Sequence, residues 1–163
     1  MARSRVTERD HGAAKVVKAV EGQMSVKVGI MSDKGSAPKK GGTAGAPTGN
    51  TVLDVANQHE FGIGVPRRSF VGQFNDENEA ELFKWLELVS KQVAESKITK
   101  RAGAGQFGSK VANENKDWMS RGPAGWQPLS QAYADKHHGG DRTARLILWG
   151  QLRSSITHQV EEA

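Results

Sequence analysis

Cysteine is absent from all 163 residues, so the chain can hold no disulfide, no thiolate metal site and no cysteine nucleophile. Aromatic residues are scarce at 6%, and hydrophobic residues of all kinds reach only 36% against 25% charged, with 19 glycines. At a mean hydropathy of −0.59 there is too little apolar material to order every segment, and a small core with long mobile pieces is expected. No apolar run approaches the roughly 20 residues that cross a bilayer, so no membrane is expected among the partners. The opening MARSRVTERD lacks the apolar stretch of a secretion signal. These absences suit a protein made and used in a reducing cytoplasm, and the length suits a single domain over residues 1–163.

What is present begins with charge. A net charge of +5 and a pI near 9.6 raise the prospect of an anionic partner. Arg3, Arg5, Arg9, Lys15 and Lys18 lie near the start, and Lys34, Lys39 and Lys40 in a glycine-rich stretch. No aromatic side chains interleave with them to stack on bases, so these cations read as solvating groups with non-specific proximity to DNA rather than as a sequence reader.

Periodicity organises the rest. Residues 1–22 read as an N-terminal arm or short helix. From Met24, the segment MSVKVGIM alternates apolar and polar positions, the pattern of a half-buried strand. Residues 32–50 show no periodicity and read as a flexible loop. Thr51 with Asp54 forms a box-like start to a short helix whose inward positions would include Leu53, Ala56 and Phe61, and Gly62 would stop it. A long helix is expected from Asn75 or Asp76, with Glu77, Glu79 and Glu81 at the positive end of its dipole and a stripe of Leu82, Leu86, Val89 and Val93. A weaker helix is expected over 106–119, a capped turn from Ser130, a mobile HHGGDR segment, a helix around Leu146–Leu152 and a closing strand from Ile156. The fold class is therefore α+β: a small, mainly antiparallel sheet packed against one long helix and one or two shorter ones.

The motifs that could carry chemistry fail on their spacing. Gly103, Gly105 and Gly108 spell the dinucleotide fingerprint, but the charged SKITKRA precedes them where a buried strand is required, so they read as a hinge between helices. The loop around Lys40 and Gly41 reverses the order that a phosphate loop needs. His59-Glu60 begins like a zinc-protease helix, yet Ile63 stands where the second histidine belongs. His137, His138 and Asp141 flank a Gly-Gly pair and read as a solvated loop rather than a metal site. No nucleophile elbow is present, and no catalytic residue, cofactor site or metal site is assigned.

Two blocks do carry a resemblance. VLDVANQHEFGIGVPRRSFVGQF is similar to the A-x-x-x-E-F-G-T-x-x-I-P-x-R-P-F segment of tailed-bacteriophage neck, tail-completion and minor tail proteins, through Ala56, Glu60, Phe61, Gly62, Val65, Pro66, Arg68 and Phe70. The stretch from Trp126 to Val160 resembles that family's W-x-P-L-S … L-I-D-T-G-Q-L-R-x-S-I ending, through Trp126, Pro128, Leu129, Ser130, Lys136, Leu146, Gly150, Gln151, Leu152, Arg153, Ser155 and Ile156. Ser69 stands where the family has proline, Leu148-Trp149 where it has Asp-Thr, and the order of the two blocks is the reverse of that in many relatives.

The resemblance implies a non-catalytic virion protein of the neck or tail, assembled in the host bacterial cytoplasm. It implies a homo-oligomeric ring of six copies between head-connector and tail-tube proteins, with a lumen through which genomic DNA passes. A tail terminator capping the tube is the alternative within the class, and a basic DNA-binding accessory protein the alternative outside it. Phe61, Gly62, Pro66, Phe70, Trp126, Leu129, Gly150, Leu152 and Ile156 are the expected motif and core positions, with Phe61 anchored inside and Gly150 permitting a close backbone approach. Arg67, Arg68, Arg153, Lys39 and Lys40 are the expected subunit-interface residues, a guanidinium being suited to pairing with a carboxylate across a boundary.

Overall fold

The computed structural model describes residues 17–19, 21–31, 38–41, 46–143 and 150–162. The expectations for residues 1–16, 32–37, 42–45 and 144–149 lie outside the described residues. The fold is α+β, as the periodicities imply. Strand β1 (Met24–Ile30) pairs antiparallel with β4 (Ile156–Glu162), from Met24 opposite Glu162 to Ile30 opposite Ile156. Both strands stand where the sequence places them, β1 through the alternation of its first residues and β4 from its start at Ile156.

A second antiparallel pair joins β2 (Pro38–Gly41) to β3 (Ala46–Thr51), with an irregularity between Pro38 and Lys40. This corrects the flexible-loop expectation for 38–41 and 46–50. A strand ladder needs backbone partners and not apolar side chains, so a segment of Gly, Pro, Thr and Lys can form one without showing any period.

Helix α1 (Val52–Phe61) starts at the expected box. The Thr51 hydroxyl accepts from the Asp54 amide at 3.1 Å, and the Asp54 carboxylate accepts from the Thr51 amide at 2.8 Å. Hydrogen bonding from Thr51 holds the Asp54 carboxyl below its ordinary range. The cap's contribution is therefore present above the unfolded carboxylate pKa and is lost as pH falls through the lower folded value. Gly62 closes the helix at φ 74°, the left-handed stop. Val52 and Ala56 are buried, whereas Leu53, expected inward, is exposed. Val52 and Ala56 lie four residues apart on one face, and Leu53 is rotated about 100° from Val52 towards solvent.

Two long helices dominate. Helix α2 (Gly72–Ala94) begins ahead of Asp76, so none of its acidic residues lies in its first turn. Helix α3 (Lys100–Arg121) begins six residues earlier than its apolar pattern suggests, because the Thr99 hydroxyl caps it by accepting from the Ala102 amide at 3.2 Å. Gly103, Gly105 and Gly108 thus lie inside α3, and the hinge reading is corrected. Two of them make contact sites. A Cβ on Gly103 would stand 2.9 Å from Val89 and Val93 of α2, and one on Gly108 would stand 2.7 Å from the His158 ring and 2.8 Å from Val26. One side of α3 therefore seats α2 and another seats the β1–β4 pair.

The short elements finish the frame. Helix α4 (Gln131–His138) is capped by Ser130 and ends at Gly139 in the left-handed region, so His137 and His138 form its last turn instead of a loop. Helix α5 (Gln151–Ser155) runs up to the expected start of the final strand at Ile156, and it packs against α1. The Ser155 hydroxyl satisfies itself on the Gln151 carbonyl at 2.8 Å, leaving Ile156 to start β4.

The glycines of α3 give a direct test. Gly108→Ala should cost about 1–3 kcal/mol, because the added methyl meets the His158 ring and Val26. Gly105→Ala meets open space and should stabilise by about 0.5–1 kcal/mol, the ordinary gain from removing a mid-helix glycine. Urea denaturation of both variants beside the parent checks the opposite signs.

Candidate functional site

The two motif blocks fold into one interlocked unit at the N-terminal end of α2. Val71, the residue before that helix, provides no side-chain cap. Glu60, from the last turn of α1, provides it across the intervening loop. Its carboxylate accepts from the Val71 amide at 3.1 Å, the Gly72 amide at 3.0 Å and the Ser69 hydroxyl at 2.7 Å. The Ser69 oxygen in turn accepts from the Gln73 amide at 3.3 Å. Three amides that the helix start leaves without partners are settled by two side chains, and the negative charge sits at the positive end of the dipole. Ser69, which stands where the resembled segment has proline, is one of the two.

The second block is tied to the same place. Arg68 donates from Nη2 to the Gln127 carbonyl at 3.2 Å. Trp126 donates from its indole to Gln73 at 2.8 Å, and Gln73 donates to the Ala124 carbonyl at 3.1 Å. Trp118 of α3 donates to Glu77 at 2.9 Å and stands edge-on to both Phe74 and Trp126, with ring centroids 5.8 and 5.6 Å away. Asn115 donates to the Phe70 carbonyl at 2.7 Å. Phe70, Trp126, Leu129, Leu152 and Ile156 are all buried, in keeping with their expected core role.

Several expected positions are corrected. Phe61 is not in the core but 66% exposed, because α1 turns Val52 and Ala56 inward and Glu60 towards α2, which leaves Phe61 on the outer face. Arg68 is not at an open boundary but 5% exposed, within reach of the Tyr133 phenol. Burial raises the Tyr133 pKa, and the Arg68 charge pulls it the other way. Gly150 makes no close approach, since a Cβ there would meet nothing within 4 Å. Its requirement is conformational: it sits at φ 59° before α5.

The remaining candidates scatter. Arg67 is exposed and its Nε donates to the Glu60 carbonyl at 3.2 Å, while Arg153 donates to the Ser120 hydroxyl on α3. Lys39 and Lys40 lie on β2. Pro66 is exposed in the loop between α1 and α2. Among the described residues, no three of His, Asp or Glu gather as a metal set.

Outside this unit lies apolar surface along α2. Leu86 of the expected stripe is exposed, with Phe83 beside it at 62% and Leu88 exposed as well. The sheet is only two strands wide and rests on α3, so nothing among the described residues covers that part of α2. A trough of about 320 Å³ runs there between Leu82, Phe83, Leu86 and Phe107, with Asp76 and Glu79 on its rim.

No protein-family model, curated protein or solved structure matches this chain, so the geometry and the two motif blocks carry the functional reading.

Glu60→Ala should destabilise the fold by about 1–3 kcal/mol through the orphaned amides of α2, and Arg68→Ala by a similar amount through lost burial and the stranded Gln127 carbonyl. Phe61→Ala should stay within about 0.5 kcal/mol of the parent, the ordinary range for an exposed site. Thermal melting of the three variants would distinguish them.

Proposed function

We propose that this protein is a structural virion component of the phage neck or tail, a ring-forming subunit that completes the tail and joins it to the head connector around a lumen for DNA. One observation carries the reading. The residues of the two family-like blocks mostly close the protomer's own core, and large apolar side chains nevertheless remain outside it in two separate places. Phe61 and Ile63 stand at the end of α1, and Phe83, Leu86 and Leu88 stand along α2. Exposed apolar groups of this size in a chain so poor in them favour a molecule that finishes burying its surface by association.

The basic-accessory reading draws less support. The densest described cluster of cations lies around the start of α3, and its members are engaged. Lys100 donates to the Glu21 and Gly22 carbonyls, Arg101 pairs with Glu162 at 3.0 Å and Lys97 with Glu95 at 2.7 Å. Two of these cations are paired with carboxylates and the third is held by backbone carbonyls, which leaves the cluster little to offer a phosphate backbone. The tail-terminator role remains the alternative within the proposal, because ring formation serves both.

Native mass measurement on the purified chain, beside quantitative protein mass spectrometry on purified particles, tests the reading. A closed ring and a virion copy number divisible by six are expected. A chain that stays monomeric and is missing from particles would remove the proposal.

A further inference from the structure

The two apolar patches differ in shape and in charge. The first is a knob. Leu53 and Phe61 lie eight residues apart on one face of α1, and Ile63 follows the Gly62 turn, all three exposed. Arg67 packs against the Gly62 turn that separates Phe61 from Ile63: a Cβ on Gly62 would lie 3.1 Å from the Arg67 Cβ. The arginine is exposed, and its hydrogen bond to the Glu60 carbonyl uses Nε.

The second is a hollow. The trough on α2 has a volume of about 320 Å³ and is floored by Leu82, Leu86 and Phe107. It shares Asn75, Leu82 and Phe107 with a deeper cavity of about 220 Å³ that reaches Val26 and Val28 of β1. A single benzene ring fills an apolar cavity of about 150 Å³, so the trough admits a phenylalanine ring with a second aliphatic group beside it.

Charge matches shape. The first half of α2, from Gly72 to Phe83, carries Asp76, Glu77, Glu79 and Glu81 and no lysine or arginine. Glu77 is engaged by Gln73 and Trp118, and Glu81 pairs with Lys84. The carboxylates of Asp76 and Glu79, which line the trough, make no hydrogen bond or ion pair among the described residues.

We infer that the occupant of the trough is a second copy of this chain, whose Phe61 and Ile63 seat between Phe83, Leu86 and Phe107 while its Arg67 meets Asp76 and Glu79. The two patches use different residues, and no α1 residue lines the trough. The contact is therefore heterologous: each copy offers a knob to one neighbour and a trough to the other, an arrangement that closes into a ring when the rotation allows. This rests on the ring reading above and supplies its contact.

The test uses the full chain and sedimentation velocity over a concentration series. Phe61→Ser and Phe83→Ser change exposed positions, so both variants should melt like the parent. Each should raise the concentration needed for half-assembly by at least about tenfold. Mixed in equal amounts, the two variants should form a dimer and nothing larger, because one retains its trough and the other its knob. Arg67→Glu should weaken assembly, and Asp76→Lys with Glu79→Lys in the same chain should restore it. If the parent forms rings and both serine variants assemble as it does, this contact is wrong and the ring reading stands. Mixed variants that stay apart while the parent assembles would also overturn the contact. A parent that is monomeric throughout overturns both.

Discussion

Helix α2 begins on a valine that cannot cap it, and the acceptor comes from eleven residues upstream. By taking the Val71 and Gly72 amides and the Ser69 hydroxyl, the Glu60 carboxylate sets the angle at which the chain leaves α1 and enters the 23-residue helix. That angle brings Gln73 to Trp126 and Glu77 to Trp118, whose indoles need partners once buried. It also carries Phe70 and Phe74 into the core beside them. A displaced helix start would leave two tryptophan N–H groups and several amides without acceptors together, so the site is cooperative in the physical sense.

A second constraint acts at the other end of α2. Two glycines five residues apart on α3 let α2 and the sheet approach its axis from different sides. Between those sides lies the corner where Phe107, Val111 and Asn115 face the deeper cavity. With only two strands, the sheet cannot reach over it. The narrow sheet thus explains the open apolar trough: α2 carries the stripe of a covered helix, and the layer that would cover it stops at β1.

Legibility followed the range of the cause. Thr51 with Asp54, Ser130, the alternation of β1 and the stop at Gly62 act within a few residues, and the sequence displays them. Core positions such as Trp126, Leu152 and Ile156 were legible because large apolar groups have one favourable place to go. The start of α2 was misplaced because its cap comes from Glu60, which no local pattern connects to it. The α3 glycines were mistaken for a hinge because a close approach between helices is visible only in three dimensions. Phe61 and Arg68 were exchanged, inside for outside, on residue type alone. Thr99 is different: a threonine just before KRA is a residue type that caps helices by accepting from an amide three residues on, and that signal is local.

That exchange says something about how a short motif works. In the run from Glu60 to Gly62 the chain is at the end of a helix, where successive side chains diverge by about 100°. Glu60 turns inward to build the protomer, Phe61 turns outward, and Gly62 ends the helix so that Arg67 can return against the turn. The carboxylate and the ring cannot trade places without losing either the cap of α2 or the apolar knob. A three-residue pattern can therefore be held by two unrelated demands at once. Folding needs its first residue, the proposed contact between copies would use its second, and the stop at the third fixes the end of the helix from which they diverge.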